Sequence, residues 1–272
     1  MNYRHAFHAG NFADCMKHAL LIWLLRALQR KTTPISVLDT HAGAGGYDLS
    51  AGPAERTGEW RAGIGRLLDD PPSALAEYVG LVRQLELYPG SPALIRALLR
   101  PDDRLGCCEL HPDEHAALRR RFARDPTVAV HRRDAWEALG ALLPPQPRRG
   151  LVLIDPPYEA TEEFDRLAKG LATGWARFRT GVFAAWYPIK HRAPVRSFFA
   201  AVRQEGINDI VAAELLLREP LDPARLNGCG MLVINPPYRF ETDAPPILAA
   251  LLDRLGAHEP GEGAEMIRLV DE

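Results

Sequence analysis

The stretch Ile35-Ser36-Val37-Leu38-Asp39-Thr40-His41-Ala42-Gly43-Ala44-Gly45-Gly46 joins a short apolar segment to a glycine-rich turn. The apolar segment predicts a β-strand, and glycines in the turn allow the backbone to approach a ligand closely. A strand that enters such a turn is typical of an open α/β sheet, in which ligands bind beyond the carboxyl ends of the strands. The glycine spacing differs from the dinucleotide pattern GxGxxG, so hydride-transfer chemistry is less favoured.

Strands and helices alternate on both sides of this segment. Before it, Asn11 predicts a helix N-cap, and apolar residues follow at helical spacing as far as Leu28. After it, six further stretches predict strands, at 105–109, 127–130, 151–154, 181–186, 209–217 and 230–234. The predicted fold class is α/β, a seven-stranded, mostly parallel, doubly wound sheet. The last two strands have no helix between them and should pair as an antiparallel hairpin.

Residues 53–100 follow a different pattern. They indicate helical pieces broken by Pro71-Pro72 and by Tyr88-Pro89-Gly90-Ser91-Pro92, without a strand pattern. We therefore expect a small helical insertion at 47–102, within a single domain that spans residues 1–272.

Composition restricts the class of protein further. The 272 residues are 47% hydrophobic and 25% charged, which is ordinary for a soluble globular protein. Charged residues interrupt the apolar stretches before the ~20 residues that a membrane span needs, and four scattered cysteines favour free thiols. We expect a cytoplasmic protein without membrane association. The formal net charge of -2 implies that any contact with nucleic acid depends on local basic patches.

The strongest chemical signal is Asp155-Pro156-Pro157-Tyr158, directly after the apolar strand 151–154. The Asp155 carboxylate and the Pro156 carbonyl could accept both hydrogens of an adenine amino group, which would localise a lone pair otherwise delocalised into the ring. Prolines stiffen the turn, and Tyr158 offers a face on which an extruded base can stack. Alkylation by a sulfonium donor then needs positioning and electrostatics more than a strong base.

The motif alone is equally consistent with a rigid loop that carries no chemistry. Its position after a strand, downstream of the glycine-rich turn, favours catalysis. A second copy, Asn235-Pro236-Pro237-Tyr238, also follows an apolar strand. It comes after the last predicted strand, whereas a catalytic loop should follow the fourth, so we interpret it as a structural exit from the sheet.

Two acidic residues at strand ends are candidates for binding an adenosine moiety at the 41–46 turn. Glu109 ends the second predicted sheet strand, where a carboxylate can accept both ribose hydroxyls. Asp134 follows the third and could accept from the adenine amino group, but it is equally suited to cap the next helix. Glu109 could also be a solvated strand end.

The N-terminal run Tyr3-Arg4-His5-Ala6-Phe7-His8-Ala9-Gly10-Asn11, with Lys17 and His18 on the following helix, is rich in polar and aromatic groups. A metal site that uses His5, His8, His18 and His41 is disfavoured, because no cysteine or carboxylate completes a ligand pattern. Two interpretations stay open: a segment that closes over cofactor and target base, and a capped surface helix.

Basic residues cluster at Arg119-Arg120-Arg121 with Arg124, at Arg132-Arg133, and at Lys190-His191-Arg192. Most charge runs are solvated faces. The Lys190 cluster is the better candidate for phosphate contact, because Trp186-Tyr187-Pro188 precedes it and basic with aromatic groups suit a nucleic-acid groove.

Several stretches together match one family: Tyr3-Arg4-His5, Phe7-His8-Ala9-Gly10-Asn11, Lys17-His18, Leu38-Asp39-Thr40-His41-Ala42-Gly43-Ala44-Gly45, Glu55-Arg56-Thr57-Gly58-Glu59, Tyr88-Pro89-Gly90-Ser91-Pro92, Glu109-Leu110-His111-Pro112, 154–159, Trp186-Tyr187-Pro188 and Ile234-Asn235-Pro236-Pro237. On these residues the chain resembles, over nearly its whole length, the RlmJ-type large-subunit ribosomal RNA adenine-N6 methyltransferases. It departs from them at Tyr238, where the family pattern has tryptophan.

The resemblance implies a Rossmann-like class I methyltransferase. The enzyme would transfer a methyl group from S-adenosylmethionine to N6 of one adenine in 23S rRNA, on protein-free or partly assembled large subunit, without an obligate protein partner. It implies that Asp155 is catalytic, that Tyr3 faces the substrate and that Lys17 lies in the pocket. No metal is implied. The implied cofactor contacts are His18, His41, Ser91, Glu109, Asp134, Ala135 and Asp155.

Three alternative functions remain. A DNA adenine methyltransferase would use the same chemistry. A non-catalytic RNA-binding module could retain the fold, and a nucleotide-dependent oxidoreductase is disfavoured only by the glycine spacing.

Overall fold

A computed structural model describes residues 4–159 and 162–272. Its strands are β1 Ser36–Asp39, β2 Gly46–Tyr47, β3 Tyr88–Pro89, β4 Arg104–Cys108, β5 Val128–His131, β6 Gly150–Ile154, β7 Val182–Ile189, β8 Ile210–Leu216, β9 Gly228–Ile234 and β10 Gly263–Val270. Its α-helices are α1 Phe12–Gln29, α2 Gly52–Thr57, α3 Arg66–Asp69, α4 Ala76–Gln84, α5 Ser91–Leu98, α6 Pro112–Arg121, α7 Ala135–Ala141, α8 Glu163–Arg177, α9 Arg192–Gln204 and α10 Phe240–Leu255. Short 3₁₀ or π turns lie at His5–Phe7, Arg61–Gly65 and Ser73–Leu75.

The central sheet has the strand order β10-β8-β9-β7-β6-β1-β4-β5. Neighbours from β7 to β5 pair in parallel, whereas β9 runs antiparallel to both β7 and β8. All seven strands expected from the sequence are present, and the predicted hairpin of the last two corresponds to β8 and β9. The predicted fold class is confirmed.

The predicted strand count of seven is wrong, because β10 adds an eighth strand antiparallel to β8. Its residues are mostly half-buried at the sheet edge, and charged Glu265 and Arg268 interrupt its apolar pattern. An edge strand of this kind has only a weak alternation signal in sequence. The pair of β2 with β3 was also not expected within the helical stretch.

Helices cover both faces of the sheet and bury two cores. One core packs α1, α5 and α10 against one face, and the other packs α7, α8 and α9 against the opposite face. Successive residues of a strand supply opposite cores: Cys107 belongs to the first and Cys108 to the second. The interior strands are therefore mostly apolar, as expected for parallel strands buried on both faces.

Residues between β2 and β4 form α2 to α5 with the short turns and β3. Of these helices, α4 and α5 pack against α1, and α3 packs against α10. The division into one domain of residues 1–272 with an insertion at 47–102 stays a prediction. In the part of the chain that the structure describes, no helix is long and apolar enough to cross a membrane.

Candidate active site

A cleft of about 770 Å³ opens where the parallel strands end. Loops that follow β1, β4, β5, β6 and β7 line it together with the start of α1. The sequence-predicted site residues that line the cleft are Lys17, His41, Ser91, Glu109, Asp134, Ala135, Asp155, Pro156 and Tyr158. His18 is fully buried and does not line it, and Tyr3 lies outside the described residues.

Asp155 begins the loop after β6 and is held by Lys17. Lys17 Nζ donates to Asp155 Oδ2 at 2.7 Å and lies 2.7 Å from Asp14 Oδ1. The side chains of Lys17 and Asp14 are 6% and 1% exposed, whereas that of Asp155 keeps 17% exposure. Burial opposes the charge of Lys17, but the two carboxylates outweigh it and raise the ammonium pKa well above its usual value. Lys17 is therefore a fixed cation that orients Asp155.

Asp14 is the centre of this ion cluster, and the sequence analysis did not identify it. Its Oδ2 lies 3.0 Å from His5 Nε2 and accepts the Gly10 N–H at 3.0 Å. Burial opposes its ionisation, but His5, Lys17 and His18 together lower the pKa of the carboxyl well below its usual value. The available signal was three ionisable residues, Asp14, Lys17 and His18, within one turn of an otherwise apolar helix.

His41 connects the turn after β1 to the Asp155 loop. Its Nδ1 accepts the Asp155 backbone N–H at 3.3 Å, and its ring packs edge-on against Trp136. Burial lowers the pKa of His41 to about 4, so the ring is neutral at pH 7. Nδ1 also lies 2.9 Å from the Thr40 hydroxyl, which ties the ring to the end of β1.

Glu109 closes the glycine-rich turn onto β4. Its Oε2 accepts the Gly43 N–H at 2.9 Å, and its Oε1 accepts the His111 N–H at 2.7 Å. Burial raises the pKa of the carboxyl, and the two backbone donors counteract that rise. Each oxygen retains lone-pair capacity toward the cleft.

Asp134 caps α7, as one of the two interpretations of its sequence position proposed. Its Oδ1 accepts the N–H groups of Trp136 and Glu137 at 2.9 and 3.2 Å. Its Oδ2 lies 3.9 Å from Arg166. The N-cap places Asp134 and the first helical residue, Ala135, on the cleft wall.

Ser91 and His18 are tied to buried partners. Ser91 Oγ donates to Asp39 Oδ2 at 2.6 Å, and burial raises the pKa of Asp39 to about 6. His18 Nδ1 lies 3.1 Å from Tyr88 Oη, and burial lowers its pKa to about 3. His18 therefore does not reach the cleft itself and lies behind Asp14, which does line it.

The Asp155-Pro156-Pro157-Tyr158 loop ends in a tightly held tyrosine. Tyr158 has φ of 51°, in the left-handed region that side chains rarely adopt. Its hydroxyl donates to the Trp186 carbonyl at 2.9 Å, and its ring packs on Phe164 with centroids 5.0 Å apart. These contacts fix the direction of the loop.

The second proline-proline motif lies at the amino-terminal ends of the parallel strands, on the side of the sheet away from the cleft. Because β9 is antiparallel, its carboxyl end points away from the cleft. Asn235 Nδ2 donates to the carbonyls of Arg179 and Gly181 at 2.8 and 2.7 Å, ahead of β7, and Tyr238 is 86% exposed. This geometry agrees with the structural role expected for it.

Glu59, within the helical stretch 52–65, binds the N-terminal segment. Glu59 lies 3.0 Å from His8 Nδ1 and accepts from Asn11 Nδ2 at 3.0 Å. Asn11 Oδ1 accepts the Asp14 N–H, so the predicted N-cap is confirmed. The interpretation of α1 as a surface helix is wrong, since most of its residues from Ala13 onward are buried. Its first turn instead forms part of the cleft wall.

The order of the sheet, with one antiparallel strand between β7 and β8 and a cleft at the carboxyl edge, defines a Rossmann-like class I methyltransferase. A family model described as "Ribosomal RNA large subunit methyltransferase D, RlmJ" matches residues 32–267. The chain belongs to this family.

Individual relatives agree with this assignment. Two proteins named "Ribosomal RNA large subunit methyltransferase J", from Escherichia coli and Haemophilus influenzae, are each 41% identical, over 94% of this chain and 94% of their own length. A crystal structure of a Legionella pneumophila protein is 35% identical and superposes with a TM-score of 0.87, over 96% of this chain and 98% of that one.

Proposed function

We propose that this protein transfers a methyl group from S-adenosylmethionine to N6 of one adenine in 23S rRNA. The observation that carries the proposal is the Asp155 carboxylate, which borders the cleft at the end of β6 with one oxygen held by Lys17. Membership of the RlmJ family and the names of the relatives support ribosomal RNA as the substrate class.

The residues of the cleft suit S-adenosylmethionine. Glu109, with both oxygens on backbone donors and spare lone pairs, can accept from ribose hydroxyls. Asp134 Oδ2 does not take part in capping α7 and can accept from the adenine amino group of the cofactor. Ser91, Ala135 and the neutral His41 complete the set, and His18 supports it from behind. When bound, the cofactor would supply an electrophilic methyl group attached to a sulfonium. The thioether is a good leaving group and needs no further activation.

The target adenine would be extruded from the RNA and enter beside Asp155. One amino hydrogen is donated to the carboxylate oxygen that Lys17 leaves available, and the other to the Pro156 carbonyl. Tyr158 offers a ring whose orientation is already fixed by Trp186 and Phe164. Tyr3 is proposed to cover the base from the N-terminal segment.

Charge and protons balance simply in this scheme. Methyl transfer would break the methyl–sulfur bond as the nitrogen–methyl bond forms, and it would leave a neutral thioether and a positively charged amino group. That group loses one proton, for which the Asp155 carboxylate is the adjacent acceptor. Lys17 stays protonated because two carboxylates flank it, so its role is to orient and to stabilise charge.

The test compares Asp155→Ala and Asp155→Asn with Asp253→Asn, which removes an exposed carboxylate on α10. Radiolabelled methyl transfer is measured on protein-free 23S rRNA from cells that lack the gene, and the product base is identified by mass spectrometry. We expect loss of transfer in both Asp155 variants, with cofactor binding still measurable by calorimetry, and full activity in the control. Full activity of Asp155→Ala would refute the assignment.

Further arms of the same assay separate the alternatives. Transfer to DNA in preference to rRNA would indicate a DNA methyltransferase. Binding of NAD without binding of S-adenosylmethionine would indicate an oxidoreductase. A wild-type protein that binds rRNA without methyl transfer would indicate a non-catalytic module. Comparison of protein-free rRNA with assembled large subunits tests the proposed timing.

A further inference from the structure

We infer that six exposed arginines, five outside the cleft and one on its rim, form a docking surface for the phosphate backbone of the same RNA. The inference rests on the proposed function for the identity of the RNA. We call this surface the edge arginine patch, and its members are Arg119, Arg120, Arg121, Arg124, Arg132 and Arg133.

The patch lies at the open edge of the sheet. β5 is the last strand in the order, so its outer edge has no neighbouring strand among the described residues, and α6 packs beside it. Arg119 of α6 and Arg132, which follows β5, both act on His115: burial and these two cations lower its pKa. The two arginines belong to neighbouring elements, because α6 packs against β5.

None of the six arginines forms an ion pair within residues 4–159 and 162–272. Two acidic residues near the patch are already used, since Asp113 pairs with Arg4 and Asp125 with Arg96. Exposed arginines elsewhere are commonly paired, as Arg26 is with Glu77. In a chain of formal net charge -2, this surface thus concentrates uncompensated positive charge.

A purely local explanation covers only part of the patch. Cations in the last turn of α6 interact favourably with the helix dipole. That effect applies to Arg119 to Arg121, but not to Arg132 and Arg133, which follow a strand. Mutual repulsion of six cations is unfavourable unless a polyanion neutralises it.

The patch is continuous with the cleft. Arg133 lines the cleft beside Asp134, and α6 begins next to His111, which also lines it. The ten residues of α6 extend about 15 Å at 1.5 Å per residue, so the patch reaches well beyond the pocket for a single base. RNA with its target adenine in the cleft could thus lay several phosphates across this edge.

The test compares two triple variants that remove the same charge. Arg119→Gln/Arg120→Gln/Arg132→Gln alters the patch and leaves the cleft lining intact. Arg148→Gln/Lys169→Gln/Arg196→Gln removes three exposed cations that also have no ion pair among the described residues but lie on other elements. Affinity for protein-free 23S rRNA is measured by fluorescence anisotropy over a salt series, with methylation kinetics and cofactor calorimetry alongside.

Each lost phosphate contact should reduce the slope of log affinity against log salt by ~0.7–0.9. We therefore expect the patch variant to lose roughly 2 to 3 from the slope and to show a raised RNA KM, with kcat at saturating RNA and cofactor affinity unchanged. The control variant should keep the wild-type slope.

An unchanged slope in the patch variant, or equal losses in both variants, would overturn the inference. If the wild-type protein fails to methylate the RNA, the proposed function fails, yet the comparison of binding slopes still decides whether the patch contacts phosphates.

Discussion

Asp14→Asn should destabilise the fold severely, although it only replaces one carboxylate oxygen by an amide NH2 group of similar size. The substitution leaves Lys17 buried with Asp155 as its sole carboxylate partner, and it turns an amide donor toward either Lys17 or His5. Removal of one partner of a buried ion pair costs ~3–5 kcal/mol, because the remaining charge stays desolvated. For a domain of this size, that loss corresponds to a fall in Tm of about 6–20 °C.

Glu77→Gln is the matched control. Glu77 lies 2.6 Å from Arg26, but the two side chains are 45% and 48% exposed. Exposed ion pairs contribute ~0–1 kcal/mol, so the expected change is small. Both variants are followed by urea and thermal unfolding, with rRNA methylation as a second readout. If Asp14→Asn unfolds within 1 kcal/mol of the wild type, the ion cluster does not stabilise the cleft as argued.

The pH dependence of the effect has a definite sign. The folded-state pKa of Asp14 is held well below its ordinary value, so the carboxylate contributes its full stabilisation above that ordinary value. The contribution is lost as pH falls through the folded-state pKa. The stability difference between wild type and Asp14→Asn should therefore be largest near neutrality and shrink in acid.

Three further substitutions test the packing and titration of the same region. Gly63→Ala should destabilise by ~1–3 kcal/mol in urea unfolding, because its Cβ would lie 2.0 Å from the Gly10 carbonyl oxygen; an unchanged midpoint would show that the segment yields. Gly80→Ala, in α4 with open space around it, should instead stabilise by ~0.5–1 kcal/mol, and a loss there would contradict the helix-propensity argument. His41, with its pKa lowered to about 4, stays neutral when folded while the unfolded ring protonates below pH ~6.5, so stability is lost as pH falls from there. Between pH 7 and 5, the loss in free energy of unfolding should be about 2 kcal/mol smaller in His41→Gln than in the wild type. The exposed His258→Gln is the control and should show no such reduction. An equal acid response in both variants would refute the lowered folded-state pKa of His41.

The sequence predicted the elements of the sheet closely because its interior strands are buried on both faces. Such strands read as short apolar runs, and each predicted one lies within a few residues of its observed position. β10 escaped detection because Glu265 and Arg268 interrupt its half-solvated apolar run, whereas the other edge strand, β5, contains no acidic residue, lysine or arginine. The place of β10 depends on β8, which offers an unpaired edge only after the sheet has formed.

By itself, the sequence determined the alternation of strands and helices, and with it the position of the cleft. The carboxyl ends of parallel strands gather at one edge, so His41, Glu109, Asp134 and Asp155 were bound to meet there. Tertiary structure alone decided how Asp155 is held. Lys17 lies 138 positions away from Asp155 along the chain. It can orient the Asp155 carboxylate only in the folded protein, where burial removes water from the ammonium and Asp14 holds it in place.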